Sequence, residues 1–161
     1  MVYSFRCFCF SVCFNFVVGT TPNSPLSDTF VPCLTQHANS STPLSNIVFD
    51  NTNPNFTTVL QNYIRNTRLN TPLTPKPLLI VTALQESHVQ AAVICTKSAS
   101  VQLRIRSGSH DYEDLSYVSQ NPFILLDMFN LRRITVDVKN EVAVVHACAT
   151  LGEVYYRTGK A

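Results

Sequence analysis

The sequence predicts an α+β chain, and three features carry that expectation. Apolar stretches flank a helical pattern between residues 78 and 106, a buried-strand run and a hairpin pattern occupy 123–147, and two helical stretches precede them. The first helix is expected over 30–37, with Pro32 in its opening turn, where a residue without an N–H is tolerated. In the second, Phe56, Val59, Leu60, Tyr63 and Ile64 recur at i, i+3, i+4, i+7 and i+8, and Asn55 stands at the N-cap position.

From Lys76 onward strands and helices alternate. Leu78 to Thr82, after Pro77, is a short apolar run and predicts a buried strand. Ser87 is expected to cap a helix reaching about Ser98, with Val89, Ala92, Val93 and Cys95 facing inward. Val101, Leu103 and Ile105 then alternate with Gln102, Arg104 and Arg106, the period of a half-buried strand. Strand, helix and strand together predict a βαβ unit. Phe123 to Asp127 predicts another buried strand, and Lys139-Asn140-Glu141 predicts the turn of a hairpin between 134–138 and 142–147. Thr150 and Glu153 have capping-box spacing, so a helix should open there and run through Tyr155, Tyr156 and Arg157. Only Lys160 and Ala161 follow Gly159, and the chain is therefore expected to be a fragment of a larger fold.

The chain's 161 residues, 45% of them hydrophobic, suffice for one domain and a leader. Twelve Lys plus Arg against ten Asp plus Glu leave a charge of +2, and the basic residues are scattered, which argues against a nucleic-acid partner. Residues 1–21 are expected to be a signal peptide. Arg6 precedes an apolar run from Cys7 to Gly19, broken only by Ser11 and Asn15, and a polar, Pro-rich stretch follows. The run is shorter than the roughly 20 apolar residues of a membrane span. No membrane association is expected once the leader is removed near Gly19 to Thr21; an uncleaved anchor or a buried strand is the alternative.

The remaining organisation is a helical segment over 22–73, rich in Asn, Thr, Ser and Pro, and a strand-containing domain over 74–161. Loss of the leader takes Cys7, Cys9 and Cys13 with it and leaves Cys33, Cys95 and Cys148. An oxidising compartment permits one pair among those three and leaves one thiol over. Asn39-Ser40-Ser41 and Asn55-Phe56-Thr57 are N-glycosylation acceptors, in keeping with a secreted, extracellular or cell-wall protein.

The loop Arg106-Ser107-Gly108-Ser109-His110-Asp111-Tyr112 follows the strand at 101–106. Successive backbone N–H groups in such a loop can converge on an anion, and Gly108 supplies backbone freedom. Arg104 and Arg106 share a strand face and could add positive charge; Asp111 and Glu113 oppose a simple phosphate clamp. On local chemistry alone a turn with a surface histidine describes the loop equally well. His88 reads as a helix-start residue, His37 as a surface residue and His146 as a half-buried strand residue. Cys148 reads as a small buried side chain on a strand, and no metal-ligand spacing is evident.

A longer string narrows the reading. The residues Arg106-Ser107-Gly108-Ser109-His110-Asp111-Tyr112-Glu113-Asp114-Leu115-Ser116-Tyr117 resemble the Arg-Ser-Gly-Gly-His-Asp-Tyr-Glu-Gly-Leu-Ser-Tyr signature of berberine bridge enzyme-like (reticuline oxidase-like) plant flavoproteins. Further landmarks appear in the family's order: Cys33-Leu34, Ile64-Arg65-Asn66-Thr67-Arg68, the Pro-rich stretch ending in Lys76-Pro77, Ser87 to Val93 with Cys95, and Ala149 to Tyr156.

The resemblance implies a partial FAD-binding domain of the vanillyl-alcohol-oxidase (PCMH) type, truncated before the substrate domain. It implies FAD as cofactor, attached through its 8α-methyl to His110, with Ser107, Gly108, Ser109 and Asp111 around the diphosphate and Arg106, Leu115 and Ser116 close by. It also implies a Cys33–Cys95 disulfide, with Cys148 left over. The implied activity is oxidation of a small-molecule alcohol, sugar or alkaloid-like substrate by hydride transfer to the flavin, in a monomeric secreted enzyme. This chain is expected to be inactive by itself. A non-catalytic secreted remnant that binds no flavin is the rival reading, and a membrane-anchored structural protein a third.

The sequence departs from the pattern at several points. Ser109 and Asp114 replace glycines, and at a left-handed position the first replacement costs about 1–2 kcal/mol. Asp114 is expected to add unwelcome negative charge near the diphosphate. His146 and Cys148 fall where Gln-Ala-Gly is usual, and Ala83 replaces a Pro.

Overall fold

The structure, a computed structural model, describes residues 26–39 and 41–161; the leader over 1–21, with Cys7, Cys9 and Cys13, lies outside the described residues. The helices are α1 (Leu26–His37), α2 (Phe56–Gln61), α3 (Glu86–Ser98) and α4 (Leu151–Gly159). The strands are β1 (Val48–Asp50), β2 (Leu79–Thr82), β3 (Gln102–Arg106), β4 (Phe123–Asp127), β5 (Ile134–Asp137) and β6 (Val142–Val145).

Four strands form the main sheet in the order β1-β2-β4-β3. β4 runs parallel to both neighbours, with Leu79 opposite Ile124 on one side and Arg106 opposite Asp127 on the other. The predicted βαβ unit is therefore split: β2 and β3 are parallel, but β4 inserts between them. β1, which the sequence did not signal because three residues show no period, pairs antiparallel at the β2 edge.

The central strands are buried on both faces, which explains their continuous apolar runs. Leu79, Val81, Ile124 and Leu126 pack beneath α1 and α3 with Phe30, Leu34, Ala91, Ala92 and Cys95. On the opposite face, Ile80, Phe123 and Leu125 meet Phe56 and Leu60 of α2 and Tyr117. Cys33 and Cys95 form a disulfide with a Cα–Cα distance of 5.8 Å, joining α1 to α3.

Several local expectations change. α1 begins at Leu26, so Pro32 lies inside it rather than in its first turn. Burial of Phe30 and Leu34 and the Cys33 bridge hold this helix despite the missing N–H. Asn55 makes no side-chain cap; Asn53 Oδ1 instead accepts from Asn55 N at 2.9 Å. α2 stops at Gln61, although Ile64 beyond it still packs into the second core. α3 begins at Glu86, and its inward stripe is His88, Ala91, Ala92, Cys95 and Thr96. Val93 lies off that stripe and is exposed.

The hairpin forms as expected, with Ile134 opposite Val145 and Asp137 opposite Val142. The capping box is also present: Thr150 Oγ1 accepts from Glu153 N, and Glu153 Oε2 accepts from Thr150 N. The Thr150 backbone donor, followed by Arg132, holds the Glu153 carboxyl down at about 2.

Candidate functional site

β2, β3 and β4 are parallel, so their carboxyl ends, Thr82, Arg106 and Asp127, lie along one edge of the sheet. Open sheets of parallel strands present ligand sites at that edge, and the loop carrying His110 leaves from it. Ser107 Oγ donates to Ala147 O at 2.8 Å and approaches Cys148 Sγ at 3.7 Å, tying the loop to the segment after β6. Gly108 O accepts from Arg65 Nε at 3.3 Å. His110 is exposed, and its ring rests on Gly108: a Cβ at that glycine would stand 2.8 Å from His110 Cδ2. Any side chain at position 108 therefore displaces the imidazole.

Ser109 has φ 56, so the left-handed backbone that would favour glycine is indeed required there. The residue is only 4% exposed, and among the described residues its hydroxyl has no partner. Among the described residues the backbone N–H groups of Ser107 to His110 also have no acceptor. An open concavity of about 280 Å³ is lined by Arg65, Asn66, Ser109, His110, Asp111 and Asp114. A second cavity of about 320 Å³, beside α2, holds none of the sequence-predicted site residues.

The carboxylates of the loop are engaged by its own donors. Asp111 accepts from Leu115 N at 2.7 Å, Ser116 N at 3.3 Å and Ser116 Oγ at 2.5 Å. Partial burial pulls its carboxyl upward, but the Ser116 hydroxyl and these backbone donors outweigh that and hold its pKa below the ordinary value. Asp114, also left-handed at φ 56, turns inward. It accepts from Tyr117 Oη, and from Asn66 Nδ2 at 2.8 Å. The negative charge that Asp114 adds is thus held by two side-chain donors. Burial first, then the Asp114 hydrogen bond, push the Tyr117 phenol up to about 12. Tyr117 therefore contributes stability that is complete below its unfolded value near 10 and is lost as pH rises through about 12.

Arg106 is the main correction. With Arg104 it could have added positive charge to the loop, yet it is fully buried, with its guanidinium committed to Asp127 and to two α2 carbonyls. Arg106 lies on the sheet face that α2 covers, and the last carbonyls of that helix lack intrahelical partners. Ile105, on the other face of the edge strand, is exposed instead. Arg65 is the cation that does reach the loop. Its only signal in the sequence was its place in the Ile64-Arg65-Asn66-Thr67-Arg68 landmark.

Among the remaining predicted residues, Leu115 is exposed and Ser116 half-buried beside Asp111. His88 lies in the first turn of α3, as expected of a helix-start residue, and is buried; its Nδ1 accepts from Leu84 N at 3.2 Å, and burial lowers its pKa. His146 is half-buried just past β6, and Cys148 is buried in a turn rather than on a strand. Among the described residues no group of His, Cys, Asp or Glu is arranged to hold a metal, and no helix is long and apolar enough to cross a membrane.

These features fit a flavin nucleotide. The loop offers unpartnered N–H groups and the orphaned Ser109 hydroxyl to phosphate oxygens, and an accessible imidazole beside them. Replacing Ser109 by Gly is expected to stabilise the ligand-free chain by about 1–2 kcal/mol. Relief of the left-handed strain and of the unpartnered hydroxyl outweighs the added chain entropy of glycine. Urea denaturation of the two forms measures the difference.

Fold and loop together define a flavin-binding domain. Residues 77–161 match the family model of the FAD binding domain; the chain belongs to that family, and FAD is its cofactor. The curated relatives at 44–53% identity are all berberine bridge enzyme-like proteins, which makes this an FAD-linked oxidoreductase family. The chain is 53% identical to Berberine bridge enzyme-like 2 of Arabidopsis thaliana over 137 residues, which is 84% of this chain and 26% of that protein. With Berberine bridge enzyme-like 8 of Arabidopsis thaliana it shares 50% over 143 residues, 88% of this chain and 27% of that protein.

Among solved structures, Phl p 4, a grass pollen allergen with glucose dehydrogenase activity, superposes with a TM-score of 0.73 at 41% identity, covering 81% of this chain and 26% of that one. A variant of berberine bridge enzyme gives 0.74 at 30% identity, covering 83% and 26%. The chain thus spans about a quarter of the length of the relatives it matches.

Proposed function

We propose that this chain is the flavin-holding N-terminal part of a secreted berberine bridge enzyme-like oxidase acting on a small alcohol, sugar or alkaloid-like molecule, and that His110 is its covalent FAD attachment point. The observation that carries the reading is the pairing of an exposed His110 with the orphaned Ser109 hydroxyl in one concavity at the carboxyl edge of the sheet. Bound FAD supplies the two-electron acceptor that takes a hydride from the substrate.

The chain's own residues supply position. His110 would fix the ring system, and Gly108 keeps the space that the imidazole occupies. Ser107 is held by Ala147 O, and the loop N–H groups would receive the diphosphate. Contact with the substrate and removal of its proton are assigned to the part of the relatives that this chain does not span. Secretion is supported by the Cys33–Cys95 bridge, a bond that persists in oxidising compartments, and by the exposure of the acceptors Asn39 and Asn55.

Acid precipitation of the full chain, prepared with FAD through the secretory pathway, tests the attachment. Flavin fluorescence is expected to stay with the wild-type polypeptide and to wash away from His110→Ala. Flavin that is released equally from both would overturn the covalent assignment.

A further inference from the structure

We propose that Arg65 and Asn66 are positioning residues that clamp the His110 loop at both ends, with Asp114 as the buried anchor. The inference rests on the reading of His110 as the flavin attachment point. These two adjacent residues reach the loop across 43 and 48 positions of sequence, so the contacts are tertiary. Arg65 Nε holds the carbonyl of Gly108, two residues before His110. Asn66 Nδ2 holds the Asp114 carboxylate, four residues after it.

Both clamp residues are themselves fixed. Asn66 Oδ1 accepts from Arg68 N at 3.2 Å and caps the short 3₁₀ turn Thr67–Leu69, which leaves its amide nitrogen aimed at Asp114. Its backbone N–H meets Tyr117 Oη at 3.4 Å, and the same hydroxyl donates to Asp114, closing a partly buried ring of hydrogen bonds. The Arg65 guanidinium lies 5.4 Å from the centre of the Tyr63 ring, which in turn packs on Phe129 at 4.9 Å.

The consequence concerns His110. It is exposed and lies in a loop without regular secondary structure, while attachment to a cofactor demands that its ring be held in place. Among the described residues the other side chains that bond to residues 108–114 come from just after them, Ser116 on Asp111 and Tyr117 on Asp114. Asp114, where the family signature has glycine, gives the clamp an acceptor that glycine lacks. Asp is among the residues that tolerate the left-handed conformation it takes there.

Asn66→Ala and Arg65→Met test this from outside the loop, with Arg65→Lys as the conservative rescue and Asp114→Asn as a milder change at the anchor. Amide hydrogen exchange is measured on the ligand-free full chain. Residues 115–118, whose N–H groups bond to the Asp111 carboxylate and to Asp114 O, are expected to exchange roughly tenfold faster in Asn66→Ala and Arg65→Met, with β4 and α3 unchanged, and Arg65→Lys is expected to recover part of the protection. The alkaline absorbance titration of Tyr117 is expected to shift in Asn66→Ala and in Asp114→Asn.

With FAD, the covalently retained fraction is expected to fall several-fold in Asn66→Ala and less in Asp114→Asn. Loop exchange and retained flavin equal to wild type in both Asn66→Ala and Arg65→Met would overturn the clamp. A wild-type chain that retains no flavin, but whose loop loosens in these variants, supports the clamp and sinks the attachment reading instead.

Discussion

Replacing Arg106 by Met is expected to destabilise the chain by about 3–5 kcal/mol, because it strands a carboxylate in the interior. Arg106 Nη2 meets Asp127 Oδ2 at 2.5 Å and Nε meets it at 3.2 Å, with both side chains buried. The same guanidinium donates to Leu60 O at 2.6 Å and Val59 O at 2.8 Å, carbonyls in the last turn of α2. One side chain thus joins β3 to β4 and anchors a helix of only six residues, too short to persist unaided. A loss of that size is a large share of the roughly 5–15 kcal/mol that keeps a domain folded.

The double substitution Arg106→Met with Asp127→Leu is expected to recover part of the loss by removing the unpaired charge. Recovery stays incomplete, because the two α2 carbonyls lose their donor and Phe129 N loses the Asp127 acceptor at 2.9 Å. Urea denaturation of the two single variants and the double variant gives the coupling. Additive losses would show that the pair is not a unit.

Removing the Cys33–Cys95 bridge, as Cys33→Ser with Cys95→Ser, is expected to cost about 4 kcal/mol. The bridge spans 62 residues, and closing a loop of that length limits the unfolded chain. The effect should be uneven. α1 carries Pro32 in its interior and depends on Phe30, Leu34 and this bridge, so hydrogen exchange in α1 should accelerate ahead of exchange in β2 and β4. Uniform loss of protection across α1 and the sheet would show instead that the bridge acts only on global stability. Cys148, the free cysteine among the described residues, is buried, which limits thiol exchange as an explanation.

Where the signal for an element is local, the sequence and the structure agree. The β5–β6 hairpin, the Thr150–Glu153 capping box and the α3 segment each declare themselves within a few residues, through period, turn chemistry and capping spacing. The loop at 107–112 was recognisable as a possible anion site from its composition, and only the resemblance of its flanking residues singled out His110. The same comparison anticipated the Cys33–Cys95 pairing, which three cysteines alone leave open. Asn55 misled as a cap because the start of α2 is organised by turns through Asp50 and Asn53, and Ser87 because α3 begins one residue earlier, at Glu86.

By itself, the sequence determined the class of the fold and, through its resemblance to a family, the cofactor and the candidate loop, since these follow from contiguous patterns. The tertiary structure alone decided that β4 separates β2 from β3, that Arg106 turns inward while Arg65 bonds to the loop, and that Asp114 turns inward to Asn66 and Tyr117. Each of these depends on which distant segment covers a given face. Burial and pairing set by residues more than 20 positions apart leave no trace in local periodicity.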